Sequence, residues 1–343
     1  PPKMLTKKFR LGELDEAAAL LRRGELVAFP TETVYGLGAI ATKEQAVAKV
    51  FQAKGRPSDN PLIVHVKDAQ QVLDYAAEVP ELAKELMERF WPGPLTIILP
   101  VKPGVFPANV NNGQETVAFR MPNQQSALRL IDLVGTPLVG PSANLSGKPS
   151  PTSVDHVMQD FDGLIAGVVA GDTDQAQIGV ESTVVRPMAD RLVILRPGAI
   201  TQSMLAQVCP NVQEFSVAEQ LAAPQLQSPG VKYRHYSPKQ EVYLFEATED
   251  RARLRAKLVA KGGAVGLLAD DSIIQALGHQ SPVVATYSLG QPHDAVSATR
   301  QLYAGLRALE ASGCDWILAQ ATLDSEKYHA YMNRLNKAAT SML

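Results

Sequence analysis

The sequence predicts an α/β protein in two parts: a large N-terminal part on a mixed sheet, and a smaller C-terminal part with a parallel, Rossmann-like sheet. Three observations predict this. A length of 343 residues allows two domains at roughly 150 residues each. After residue 239, strand-like and helix-like segments alternate, the pattern of a parallel sheet covered on both faces. Before residue 197, strands outnumber the helices between them, which requires antiparallel as well as parallel neighbours.

The N-terminal elements follow from periodicity and turn residues. Leu14 to Arg23 reads as a helix closed by Gly24, and Leu26 to Phe29 as a strand. Thr42-x-x-Gln45 reads as a capping box opening a helix to Lys54. Leu62 to Val66 is a strand, and Pro80 opens a helix to Phe90. Leu95 to Leu99, Thr116 to Arg120, Leu138 to Val139, Leu164 to Ala170, Ser182 to Arg186 and Leu192 to Leu195 follow as strands.

Cys209 to Pro238 holds Pro210, Pro224, Pro229 and Pro238 without a long periodic element, and reads as an interdomain connection. The expected division is 1–208, 209–238 and 239–343. Beyond it, strands are expected at Val242 to Phe245, Ala264 to Leu268, Val283 to Tyr287 and Trp316 to Ala319. Helices are expected at Glu249 to Val259, Ala295 to Leu309 and Ser325 to Ala338.

Composition excludes several classes. With 45% hydrophobic and 20% charged residues, the chain is not broadly disordered. A formal charge of −2 gives no overall positive field for long nucleic acid, so any anion must be held by a local cluster. No apolar run approaches the roughly 18 residues of a membrane helix, and the first eight residues carry no apolar stretch of a secretory signal. Cys209 and Cys314 form neither a disulfide framework nor a metal-ligand spacing, and fit a reducing, cytoplasmic setting. Neither His-Glu-x-x-His nor Gly-x-Ser-x-Gly is present, so no dedicated metal site and no serine elbow are expected.

Five segments carry candidate chemistry. Pro30-Thr31-Glu32-Thr33-Val34-Tyr35-Gly36-Leu37-Gly38 joins hydroxyls, a carboxylate and a phenol in a loop after a strand. Alone it reads as a tight turn, because no helix starts where a dinucleotide fingerprint needs one. In Lys54-Gly55-Arg56-Pro57, with Asn60-Pro61-Leu62 and His65 beyond, cations leave a helix end; they suit its dipole or a phosphate. His65 alone reads as a satisfied core imidazole. Gly140-Pro141-Ser142-Ala143-Asn144-Leu145-Ser146-Gly147-Lys148-Pro149-Ser150 is not a Walker A loop, since the first glycine of that pattern would fall on Ser142. The fourth segment is Glu181-Ser182-Thr183-Val184, with Arg196-Pro197-Gly198 after the next strand. The fifth, Lys232-Tyr233-Arg234-His235-Tyr236, is denser in donors and rings than a plain connector requires.

Together and in this order, these segments resemble the YrdC/Sua5 family, and the extra C-terminal part resembles its two-domain Sua5 type. The resemblance implies a YrdC-like twisted mixed sheet with a large cavity. It also implies a reaction: L-threonine, bicarbonate or CO2, and ATP give threonylcarbamoyl-AMP and pyrophosphate, for N6-threonylcarbamoyladenosine in tRNA. ATP is a substrate, with Mg2+ bound to its triphosphate. A Kae1/TsaD-type transferase would complete the modification, with direct tRNA contact possible but not required.

By the same resemblance, Lys54 and Arg56 are the catalytic phosphate-holding pair. Thr33, His65, Arg120 and Ser182 surround threonine, with Arg120 on its carboxylate. Asn60, Thr116, Ser142, Asn144, Ser150 and Arg196 line the ATP site, and Arg234, His235 and Tyr236 close it from the connection. Gly140 departs from the Ala or Ser expected before Pro-Ser-Ala-Asn. Two rival readings are an RNA-binding or ribosome-assembly factor and a carbamoyl transferase using carbamoyl-phosphate.

Overall fold

The computed structural model describes residues 4–57, 60–223 and 236–343. The chain divides into two compact units. The first comprises Pro1–Ser146, Pro151–Gln177 and Glu181–Tyr233; the second comprises Gly147–Ser150, Ile178–Val180 and Arg234–Leu343.

Among the described residues, eleven strands of the first unit form one sheet. Its order is Lys7–Phe9, Gly167–Val169, Val27–Phe29, Gly36–Ile40, Leu138–Val139, Ile63–His65, Thr116–Arg120, Leu95–Pro100, Thr183–Pro187, Leu192–Arg196, Val212–Glu214. Five of its pairs are parallel, including Ile63–His65 with Thr116–Arg120 and Leu95–Pro100 with Thr183–Pro187; the other five are antiparallel. The mixed sheet follows from the shortage of crossover helices, since neighbours without one must run antiparallel.

Side-chain alternation along these strands creates the site. Val64, Ile97, Leu99, Val117, Phe119 and Val185 point into the larger core, with Val47, Val50 and Leu86 from the helices Glu44–Lys54 and Glu81–Phe90. The intervening residues belong to the opposite face: Ile63, Ile98, Ala118 and Val184 form a separate apolar cluster there, and His65, Thr96 and Arg120 share that parity. Farther along the sheet, this face is covered by the helices Leu14–Arg22 and Gln125–Val134. They meet Phe9, Val27, Phe29 and Leu138 through Leu14, Leu21, Leu130 and Ile131.

Several expectations change. The segment read as a tight turn, 30–38, runs at its end into a strand, Gly36–Ile40, between Val27–Phe29 and Leu138–Val139; its Gly-x-Gly run hid the apolar alternation. Thr42 caps nothing: the helix starts at Glu44 with Lys43 at its N-cap and no side-chain cap. Within the expected connection, Val212–Glu214 pairs in parallel with Leu192–Arg196, and Val217–Ala222 is helical. Ser216 and Glu219 make a capping box at that helix, and Gln220 Nε2 donates to Leu195 O at 2.6 Å. Residues 209–223 therefore extend the first sheet. The helices Gln125–Val134 and Val154–Phe161 were also not anticipated.

In the second unit, five strands among the described residues make an all-parallel sheet. The order is Val283–Ser288, Val265–Ala269, Trp316–Ala321, Val242–Glu246, Ser341–Met342. Its connections include the helices Arg251–Lys261, Asp271–Leu277, Ala295–Ala311 and His329–Ala338. Aspartates Asp250, Asp270 and Asp294 cap three of these helices through backbone N–H groups. Phe245, Leu254, Leu267, Ile273 and Leu318 are core residues, each worth about 1.5–3 kcal/mol of burial. Asp271–Leu277 and the edge strand Ser341–Met342 were not expected.

Candidate active site

Arg120 and His65 end adjacent parallel strands and lie opposite each other in register. The Arg120 guanidinium is 3% exposed. Its Nε donates to Gly93 O at 3.2 Å and Nη1 to Thr33 Oγ1 at 3.0 Å. Its Nη2 forms a buried ion pair with Glu32 Oε1. Glu32 Oε2 accepts the backbone N–H of Asn123 at 2.8 Å.

The loop that brings Thr33 and Glu32 here is wound by one hydroxyl. Thr31 Oγ1 accepts from the N–H groups of Thr33 and Val34 at 3.1 and 3.2 Å, and donates to Val34 O at 2.6 Å. Short hydroxyl side chains favour such local turns over regular structure.

Ser182 precedes the strand Thr183–Pro187, and Arg196 ends Leu192–Arg196 beside it. Arg196 Nε donates to Ser182 O at 2.9 Å and Nη2 to Ser182 Oγ at 3.1 Å. Thr96 Oγ1 lies 2.7 Å from Ser182 Oγ. The close return of Arg196-Pro197-Gly198 requires a glycine: a Cβ at Gly198 would sit 2.5 Å from Thr183 N. Burial, and secondly the charge of Arg196, lower the Arg120 pKa to about 9, which leaves it a cation near neutrality. Two buried guanidiniums thus share a region that contains the carboxylate of Glu32.

His65 is buried, with Nδ1 3.3 Å from Ile63 O and its ring edge-on to Phe29 at 5.4 Å. Burial lowers its pKa to about 4, against a smaller raising effect of the Ile63 carbonyl. It is neutral at pH 7. The departure at Gly140 has a steric reason. A Cβ there would meet Phe29 Cζ at 2.7 Å and both His65 Cε1 and Nδ1 at 2.8 Å.

Lys54 closes its helix inside the protein, 2% exposed. Its ammonium donates to Ser142 O and, at 2.8 Å, to Asn144 O. Ser146 N donates back to Lys54 O at 2.9 Å. The expected phosphate lysine therefore also shapes the 142–146 loop. That loop lies against the 35–37 segment: Ala143 N donates to Tyr35 O at 2.9 Å and Leu37 N to Pro141 O at 2.6 Å. Arg56 is half-buried with its guanidinium 5.4 Å from the Phe51 ring centre. Asn60 is buried, and Thr116 starts the strand that Arg120 ends.

Thr33, His65, Arg120, Ser182 and Arg196 therefore lie on one stretch of the sheet and its flanking loops, and Lys54, Ser142 and Asn144 form a clamp. Ser150 and Tyr236 belong to the second unit. There Tyr236 is buried and stacks on Tyr303 at 5.2 Å. Arg234 and His235 lie outside the described residues. A cleft of about 550 Å³ opens elsewhere, lined by Pro100, Val101, Phe106, Asn111 and Gln114, and includes none of these predicted site residues. Glu32 and Thr96 received no role from the sequence. The signal for Thr96 was a lone polar group in the apolar run 95–99, and that for Glu32 a carboxylate between two threonines.

The family model Sua5_yciO_yrdC, described as "Telomere recombination", matches residues 19–198. A second, the threonylcarbamoyl-AMP synthase C-terminal domain, matches 200–340. The chain is 45% identical to the threonylcarbamoyl-AMP synthase of Bacillus subtilis over 95% of its length and 93% of that protein.

The chain belongs to the Sua5/YrdC family.

A Sua5 relative, the threonylcarbamoyl-AMP synthase of Pyrococcus abyssi, is 42% identical over 94% of this chain and 93% of its own. The crystal structure of P. abyssi Sua5 complexed with L-threonine superposes with a TM-score of 0.88 and 38% identity, covering 99% of both chains. E. coli YciO, 20% identical with a TM-score of 0.51 over 57% of this chain, shares the fold. Both parts of the Sua5 type are thus present, the mixed-sheet unit and the parallel-sheet unit.

Proposed function

We propose that this Sua5-family chain is a threonylcarbamoyl-AMP synthase, condensing L-threonine, CO2 or bicarbonate, and ATP with release of pyrophosphate. The observation that supports it is the buried Arg120 guanidinium, oriented by Thr33 and Glu32 beside the Arg196–Ser182 pair, in a chain 45% identical to a named synthase.

Arg120 has five N–H groups, of which Gly93, Thr33 and Glu32 take three. The other two can receive the threonine carboxylate. With that carboxylate held, the amine is the free nucleophile. It attacks CO2 as the neutral amine and loses a proton, giving an N-carboxylate; bicarbonate supplies the same carbon with loss of water. A carbamate oxygen then attacks the α-phosphorus of ATP, and pyrophosphate leaves. No protein nucleophile is required, so catalysis rests on positioning and charge.

Lys54 holds the Ser142–Ser146 loop and, with Arg56, provides cations for the phosphates. Asn60, Thr116, Ser142 and Asn144 complete the nucleotide side. ATP arrives as its Mg2+ complex, the metal bound to the triphosphate. His65 stays neutral and adds no further positive charge beside Arg120 and Arg196. The product supplies a Kae1/TsaD-type transferase that modifies tRNA, and a cytoplasmic enzyme fits that role.

Pyrophosphate release is measured with threonine and bicarbonate omitted in turn. Dependence on both is expected. Release without threonine favours a carbamoyl-transfer chemistry, and salt-sensitive RNA binding without turnover favours an RNA-binding factor; either result refutes the proposal.

A further inference from the structure

We propose that Glu32 is the positioning residue of the threonine subsite, the buried countercharge that keeps Arg120 aimed at the substrate carboxylate before threonine arrives. This deepens the synthase reading and rests on it.

Arg120 is buried beside a second guanidinium, Arg196, that shares its strongly desolvated region. Two buried cations repel, and each needs an acceptor to stay in place. Arg196 has the carbonyl and hydroxyl of Ser182. Of the acceptors on Arg120, Gly93 O and Thr33 Oγ1 are neutral, and Glu32 is the charged one. Glu32 is 7% exposed and fixed at its other oxygen by Asn123 N. It is therefore held independently of Arg120. Its neighbours on both sides are also held: Thr31 ties the turn, and Thr33 Oγ1 accepts from the same guanidinium.

Two consequences follow for binding. The pair orients the planar fork, so two N–H groups remain for an incoming carboxylate. Glu32 also places a negative charge against Arg120 in a region it shares with Arg196. A neutral amide at this position keeps one hydrogen bond but loses the countercharge. The guanidinium is then less well aimed.

The test uses the full chain and the variants Glu32→Gln, Glu32→Asp and Glu32→Ala, read by pyrophosphate release with threonine and ATP varied separately. For E32Q the expected result is a threonine KM raised on the order of thirtyfold or more, with the ATP KM within about twofold. E32D should recover part of the loss and E32A none. ATP binding by calorimetry checks that each variant is folded; should E32Q not fold, E32D against wild type carries the test.

Equal rises in the threonine and ATP KM, with E32D no better than E32A, would make Glu32 a brace of the 30–34 turn only. A threonine KM that falls in E32Q would make Glu32 a competitor of the substrate carboxylate. Either overturns the inference. The two readings separate cleanly: wild-type turnover that ignores threonine removes the synthase proposal, whereas threonine-dependent turnover with an unchanged E32Q KM removes only the role of Glu32.

Discussion

Adding one methyl group at position 140 should disturb both stability and threonine binding. The Cβ of Gly140→Ala would lie 2.7 Å from Phe29 Cζ and 2.8 Å from two atoms of the His65 ring. Carbon contacts are comfortable at about 3.5–4.0 Å, so something must move by roughly 1 Å. The backbone resists, because Gly140 N donates to Ile63 O at 3.1 Å. Phe29 is fully buried among Phe9, Val27 and Leu138, and also resists. His65 is buried as well, and because it lies opposite Arg120 in register, any displacement of its ring is passed to the site. Overpacking of this kind costs about 1–3 kcal/mol, which lowers Tm by roughly 2–4 °C per kcal/mol in a unit of this size. Thermal unfolding gives the stability, and pyrophosphate release at varied threonine gives the KM, which should rise severalfold while the ATP KM holds. Trimming the neighbour in G140A/F29L should restore part of both. A G140A protein with wild-type Tm and threonine KM would refute the steric argument and the placement of His65.

Other perturbations test neighbouring parts of the site. His65 has its pKa lowered to about 4 in the fold, against an ordinary value of 6.5. The unfolded chain therefore takes up the proton first as pH falls, and stability is lost between about pH 6.5 and 4, by up to about 3 kcal/mol. Urea midpoints of H65Q should fall less than wild type across that window; parallel curves would contradict it. Thr96→Val keeps shape but removes the hydroxyl 2.7 Å from Ser182 Oγ. Because Arg196 still serves Ser182, the loss should be modest, about 1 kcal/mol, with kcat/KM for threonine down about fivefold. Lys54→Met should release the Ser142–Ser146 loop and depress ATP binding by more than tenfold, as calorimetry would show.

Much of the fold was legible because its signals are local. Thr116–Arg120 and Leu138–Val139 have the expected bounds since each is a short β-rich run between turn residues. The alternation in the C-terminal part fixed its parallel sheet. The strand at 36–40 was not legible, because two glycines remove the side chains that carry a two-residue period. The capping boxes show the limit of motif reading: Thr42-x-x-Gln45 matched and does not cap, whereas Ser216-x-x-Glu219 lay in a stretch read as connection and does. In the site, Thr33, Arg120, Ser182 and Arg196 came from the family resemblance. Glu32 and Thr96 did not, because their meaning lies in long-range partners, Arg120 and Ser182, that spacing along the chain does not show. The expected Ala or Ser at 140 failed for a similar reason: the space is taken by Phe29 and His65.

The most direct test of the central claim is the mass of the nucleotide product made with carbon-13 bicarbonate. If Arg120 holds the threonine carboxylate, that carboxylate is not the group that attacks phosphorus, and the adenylate must form through the added carbon. The expected product contains AMP, threonine and one labelled carbon, formed one-for-one with pyrophosphate. An adenylate of threonine without the label would contradict this account.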